Sequence, residues 1–260
     1  MFNCLELFSG TGSFGKVAKE LGYNVTSLDL ILKADIQIDI MKWDYKIYPK
    51  DSFDIIWASP PCTFYSKLQN TWIGRKKKDG VLVTKELIEE QRQESDLIMK
   101  RTLDIINYFK PLIWFIENPE SCLKDREIMK GIPYYTCDYC KYCDWGYRKR
   151  TNIWTNKPNW TPLICNKDCE NMVIINNQNL HKERMGTSKT VKDGDKIIRC
   201  NTKQLREKYK DYPNLQIQKH KKVCDGGGDK RSNTINIGNG TDIYERYRVP
   251  PKLIFSLLQE

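Results

Sequence analysis

The apolar segment Phe53 to Ala58 runs straight into Ser59-Pro60-Pro61-Cys62. Paired prolines carry no backbone N–H and push the residue before them into extended backbone, so a strand entering this junction must stop there. The same grammar recurs along the first half of the chain. Cys4 to Leu7 reads as a short strand ending in the turn Ser9-Gly10-Thr11-Gly12-Ser13, Asn24 to Leu28 as one ending at Asp29, and Leu112 to Ile116 as one ending in Glu117-Asn118-Pro119. Between them lie helical patterns: Phe14 to Leu21, closed by Gly22, and Thr84 to Phe109, with Leu87, Ile98, Ile105 and Phe109 near one face. Continuous apolar runs separated by helices predict an α/β fold with a doubly wound, mostly parallel sheet. Ligands of such sheets gather beyond the carboxyl ends of the strands, where Gly12, Asp29, Cys62 and Glu117 all fall.

From Asn156 the composition shifts to Asn, Lys, Gly and Asp, with the stretch CDGGGDKRSN and few long apolar runs. This predicts a small, irregular second domain over residues 156–242, inserted into a main domain of residues 1–155 plus 243–260. The closing segment Lys252 to Gln259 carries Leu253, Ile254, Leu257 and Leu258, a helical face that needs an apolar partner and is expected to return to the first domain. Charge divides the same way: residues 1–155 hold 23 basic and 21 acidic side chains, residues 156–260 hold 20 and 12, within a net +10. A near-neutral domain followed by a basic one suggests a scaffold with a polyanion-binding surface, densest over residues 181–230, where Lys203 and Arg206 lie. The bland alternative is a lysine-rich composition.

Ten cysteines in a chain of 260 residues do not read as a disulfide scaffold, because a chain this long can bury a core without staples. No run of 18 apolar residues is present, so no membrane partner is expected. The opening MFNCLELFSGTG has neither a basic leader nor a cleavage site. A cytoplasmic, monomeric protein is the expectation.

Several residues can carry chemistry. Gly10, Gly12 and Gly15 fit G-x-G-x-x-G, which keeps a nicotinamide or flavin enzyme in view, and Asp29 would serve a ribose in either case. Asp39 is either an acceptor for an adenine amino group or a solvated loop carboxylate. Pro60-Pro61 form a stiff shelf for Cys62, a candidate nucleophile or an inert buried thiol. A nicotinamide enzyme gives that shelf no role. Glu117, at the end of an apolar strand, is either capped by loop N–H groups or kept protonated as an acid. Arg148-Lys149-Arg150 is either a solvated edge or a contact for phosphate. Finally, Cys137, Cys140 and Cys143 are followed by Cys165, Cys169 and His181. Zinc takes four soft ligands in a tetrahedron, and Cys140, Cys143, Cys165 and Cys169 are the expected set, with His181 able to replace one. Free thiols are the competing reading.

Taken together, these segments resemble the DNA cytosine-5 methyltransferase family. ELFSGTGSFG is similar to its first cofactor motif, SPPCTFYS to its catalytic-cysteine motif, IENP to its Glu-Asn motif and YRKRTNIW to its paired-arginine motif, while RYRVPPKLI is a weaker match to its last. The resemblance covers roughly residues 3–155 and 246–260. It implies a Rossmann-like, S-adenosyl-L-methionine-dependent methyltransferase fold that acts on cytosine in double-stranded DNA. It also implies roles: Glu6 meets the methionyl amino group, and Phe8, Gly10, Thr11, Gly12 and Pro60 enclose the cofactor. Asp29 binds its ribose and Asp39 its adenine. Cys62 is the nucleophile, Glu117 the partner of the target base, and Arg148 and Arg150 contacts to base and phosphate. Thr63 stands where the family usually has Gln, and Ser13 where it has Gly. Amino-methylating relatives place an aromatic residue where Cys62 stands. A cytosine-5 methyltransferase acting on RNA would share every catalytic residue. An inactive, zinc-stabilised nucleic-acid-binding module is the alternative from another class.

Overall fold

The computed structural model describes residues 1–77, 79–175, 178–182, 191–193, 196–198 and 247–259, with side chains throughout except at 175, 178, 191–193 and 196–198. Most of the basic stretch 181–230, including Lys203 and Arg206, and the start of the last family-like motif lie outside these residues. Two compact units divide the chain. Unit 1 comprises residues 1–137, 150–163 and 247–260; unit 2 comprises 138–149 and 164–246. The expected division at residue 155 differs from this one in both directions. Residues 138–149 belong with the second unit, and residues 156–163 with the first.

Unit 1 is built on a seven-stranded sheet in the order β3-β2-β1-β4-β5-β7-β6, from β1 (Asn3–Leu7), β2 (Asn24–Asp29), β3 (Ile36–Gln37), β4 (Ile55–Ala58), β5 (Ile113–Pro119), β6 (Tyr134–Asp138) and β7 (Arg150–Thr155). The pairs β2–β3, β1–β2, β1–β4 and β4–β5 are parallel, and β5–β7 is antiparallel. The mostly parallel sheet expected from the apolar runs is therefore present.

Alternation along the strands sends side chains to two covered faces. On one, Leu5, Leu7, Ile56, Ala58 and Ile116 join Met99, Ile105, Ile106 and Phe109 of α2 (Lys85–Phe109) in a single core. On the other, Phe14 of α1 (Ser13–Glu20) stacks on Trp57 with centroids 5.2 Å apart, and Trp57 meets Phe115. The buried stripe of α2 runs through Ile88, Ser95, Met99, Thr102, Ile106 and Phe109, so Leu87 and Ile98 flank it instead of forming its centre. Thr84 caps this helix by accepting from the Leu87 N–H. The last helix, α3 (Pro251–Gln259), buries Leu253, Ile254 and Leu257 within unit 1, as expected, and its Leu257 carbonyl accepts from Lys157 Nζ at 2.9 Å. Among the described residues no helix is long and apolar enough to cross a membrane.

In unit 2 the described residues include two short antiparallel strand pairs, β8 (Met172–Ile175) with β9 (Gln178–His181) and β10 (Val191–Asp193) with β11 (Lys196–Ile198), together with the segment 138–149.

Candidate functional site

Register sets Leu7 level with Ala58, and Ala58 with Ile116. The segments that begin at Phe8 and Ser59 leave the sheet there, whereas β5, expected to end before Glu117, runs on through Glu117-Asn118-Pro119, which pair with β7. The glycine loop comes first. Ser9 N–H donates to the Leu28 carbonyl at 3.0 Å and Gly12 N–H to the Ser9 carbonyl at 2.7 Å, while Phe8, Gly10 and Gly12 all take positive φ. Gly12 caps α1 at φ +69°, and a Cβ there would meet nothing within 4 Å, so this side of the loop is open to a ligand. Gly15 does different work. A Cβ at Gly15 would lie 2.6 Å from Glu6 Oε2, so this glycine lets α1 pack closely on the strand that carries the carboxylate.

Glu6 is buried on β1 and accepts from the Phe14 N–H at 3.1 Å, within the first turn of α1. Burial pushes its pKa up to about 7, against the pull of the Phe14 and Gly15 amides. A buried carboxyl held at the edge of ionisation, next to an open glycine loop, is suited to receive an ammonium group. Asp29 ties the loop to β2: one oxygen accepts from Gly10 N–H at 2.9 Å, the other from Ile31 and Leu32 N–H at 2.8 Å each. Asp39 follows β3 and accepts from Met41 N–H. Thr11 hydroxyl is paired with that of Ser13. This donor set, with its unoccluded glycine backbone, fits S-adenosyl-L-methionine.

The proline shelf is held from several sides. Pro60 is buried, and its carbonyl accepts from Asn118 Nδ2 at 3.0 Å, which joins the Cys62 segment directly to the strand end that carries Glu117. Beyond Cys62, Arg92 donates to the Phe64 carbonyl, and Tyr65 donates through its hydroxyl to Asp96 at 3.0 Å. Asp96 is in turn gripped by Arg126, which also reaches Glu89. Cys62 itself is half-buried, and Glu117 is buried. The sequence names Asn118 only as part of the Glu-Asn motif and gives the Tyr65–Asp96–Arg126 chain no role. Asn118 stood in plain view beside Glu117, whereas Asp96 and Arg126 lie 31 and 61 residues from Tyr65 and carry no local signal.

The two arginines part company. Arg150 opens β7 in unit 1. Arg148 belongs to unit 2, where Nε donates to Asp138 Oδ1 at 2.9 Å and Nη2 to Oδ2 at 3.1 Å, an ion pair that raises its pKa. The cysteine cluster is also rearranged. Cys140, Cys165, Cys169 and His181 bring their ligand atoms within 4.8 Å of one another, a Cys3His set able to coordinate a structural Zn2+. Cys143 is not part of it. Its Sγ lies 3.1 Å from the Tyr139 carbonyl, because the 3-10 turn Tyr139–Lys141 swings it back along the chain, and His181 takes the fourth place.

No family model matches the chain. A protein of Frog virus 3 (isolate Goorha) described as "Probable DNA (cytosine-5)-methyltransferase" is 32% identical over 259 residues, 98% of this chain and 97% of the relative. Among solved structures, a chain from an E. coli prophage described as a DNA modification methyltransferase aligns at 14% identity and TM-score 0.41, over 60% of this chain and 46% of its own. The S. pombe Dnmt2 methyltransferase aligns at 15% identity and TM-score 0.36, over 62% and 51%.

Proposed function

Because this chain belongs to the DNA cytosine-5 methyltransferase family, we propose that it transfers a methyl group from S-adenosyl-L-methionine to carbon 5 of cytosine in double-stranded DNA. The observation that carries the reading is the Asn118–Pro60 hydrogen bond, which locks the Cys62 shelf to the Glu117 strand end. Carbon 5 of cytosine is a poor nucleophile. Addition of the Cys62 thiolate at carbon 6 turns the ring into an enamine, and Glu117 at ring N3 donates a proton or a strong hydrogen bond to the nitrogen that gains charge. General acid assistance of this kind is worth roughly 100- to 10,000-fold. The bound cofactor supplies an electrophilic sulfonium methyl. Loss of the carbon 5 proton then re-forms the ring double bond and expels the Cys62 thiolate. Glu6, Asp29 and Asp39 would hold the cofactor through its ammonium, ribose and adenine. The target base must leave the helix stack to lie between thiol and carboxyl, at a few kcal/mol. The basic excess of residues 156–260 suits the backbone grip this requires.

A second reading has its own support. The Cys3His cluster is a means of stabilising a nucleic-acid-binding module whether or not methyl transfer occurs. One experiment separates these readings. Purified full-length protein is given duplex DNA and transfer RNA with labelled cofactor, and 5-methylcytosine is mapped at base resolution. Methylated cytosine in DNA, absent with Cys62→Ser, is the expected result. Label confined to RNA would move the substrate class, and nucleic-acid binding without any label would favour the non-catalytic module.

A further inference from the structure

The three thiols and one imidazole of unit 2 come from three separate stretches: the turn after β6, the loop at 164–170 and the end of β9. In a tetrahedral zinc site, bonds of about 2.3 Å to sulfur and about 2.0 Å to imidazole nitrogen leave those two atoms about 3.5 Å apart. His181 Nε2 lies 3.6 Å from Cys165 Sγ and 3.4 Å from Cys169 Sγ. The spacing is that of ligands around one shared cation. Four protein ligands also close the coordination sphere, which is the mark of a structural and not a catalytic zinc.

Asp138 lies directly behind this site. It is fully buried, and one of its oxygens, Oδ2, accepts both the backbone N–H of the ligand Cys165, at 2.9 Å, and Nη2 of Arg148. A buried carboxylate is costly unless such partners satisfy it, and here the metal loop provides one and the guanidinium the others. Asn171, also buried, holds the neighbouring turn by donating to the carbonyls of Cys140 and Cys143 at 3.0 and 2.7 Å. We propose that Cys140, Cys165, Cys169 and His181 hold one structural Zn2+, and that Asp138 couples its occupancy to the placement of Arg148. The cation fixes Cys165, the Cys165 amide fixes one edge of Asp138, and the carboxylate orients the guanidinium fork. Coupling of this kind is reciprocal, so Asp138 and Arg148 must in turn affect how tightly the metal is held. This inference stands whether or not the chain transfers methyl groups.

The test is elemental analysis of full-length protein purified without chelator, followed by competition with a chromophoric zinc chelator. One zinc per chain is expected in the wild type and in Cys143→Ser, and tetrahedral cobalt bands should appear on replacement with Co2+. His181→Ala should lose the metal at chelator concentrations that leave Cys143→Ser loaded. Asp138→Asn should keep the metal but bind it roughly 10- to 100-fold more weakly, as changes behind metal ligands do. Arg148→Lys, which breaks the fork but keeps the positive charge beside the ligands, should move affinity in the same direction by less. Substoichiometric metal in the wild type would overturn the site. Loss of metal from Cys143→Ser with retention in His181→Ala would overturn the ligand set. Metal affinity unchanged within about twofold in both Asp138→Asn and Arg148→Lys, well short of that change, would overturn the coupling.

Discussion

The described residues of the two units bury different kinds of side chain. Unit 1 buries Leu5, Leu7, Ile56, Phe109, Ile116 and Trp154 in one continuous core between sheet and helix. In unit 2, the described buried cluster is Cys140, Cys165 and Cys169, with Met172 packed against it, beside the rings of Tyr139, Trp145 and Tyr147. Apolar burial is worth about 25 cal/mol per Å2, so a broad sheet covered on both faces accumulates stability in many small steps. At the described end of unit 2, the Zn2+ proposed above would set a few strong metal–ligand bonds in place of many weak contacts. The catalytic candidates Cys62 and Glu117 sit on the first kind of support, and Arg148 on the second.

Metal removal should divide the units most sharply. Zinc bound to a small domain contributes folding free energy on the order of 10 kcal/mol. Chelation of the full chain should therefore abolish protease resistance in the segments around residues 138–149 and 164–182, while cofactor binding by unit 1, followed by calorimetry, persists. Equal protection with and without chelator would mean that these segments do not depend on metal.

The converse probe is Phe109→Ala. Phe109 is fully buried, with the rings of Trp43, Tyr45, Phe53 and Tyr108 around it. Truncation should lower the denaturant stability of unit 1 by about 3–5 kcal/mol, with zinc content unchanged. A loss under about 1 kcal/mol, the range of surface changes, would show that this core does not carry the unit.

Glu117→Gln keeps the size of a buried side chain on β5, so folding should be unaffected, while methyl transfer falls by roughly 100-fold or more. Near-normal turnover in single-turnover assays would assign the base-facing proton to another group.

The gentlest probe is pH. The Glu6 carboxyl rises from its ordinary value of 4.5 to about 7 in the folded chain. Folding thus takes up a proton between these values, and the contribution of Glu6 to stability falls as pH rises from about 4.5 to about 7. Glu6→Gln should remove that slope. A bound ammonium favours the ionised carboxyl, so cofactor affinity should rise by up to about tenfold per unit as pH climbs towards 7, and level off above it. An affinity for S-adenosyl-L-methionine that stays flat across this range in the wild type would separate Glu6 from the ammonium.

Much of unit 1 was legible in the residue order, because a parallel strand announces itself locally. A continuous apolar run, a helix stop at Gly22 and the stiff Pro60-Pro61 pair are each decided by neighbours in sequence, and so is the chemistry placed just beyond the strand ends. Asp29 and Cys62 accordingly stand at or beyond the carboxyl ends expected of them, while Glu117 lies within β5, which runs on to Pro119. What lay beyond reach depends on convergence. Cys143 shares the two-residue spacing of Cys137 and Cys140, yet the turn at Tyr139–Lys141 directs its sulfur to a carbonyl, and His181, which the sequence offers as a replacement without saying for which cysteine, completes the cluster. Gly15 fits a nucleotide motif by count, but that the group pressed against it is the Glu6 carboxylate is seen only in the fold. Spacing along a chain limits which residues can meet, but the path of the backbone between them decides which ones do. Ligand choice, the Asp138–Arg148 pair and the Tyr65–Asp96–Arg126 brace were therefore settled only in three dimensions.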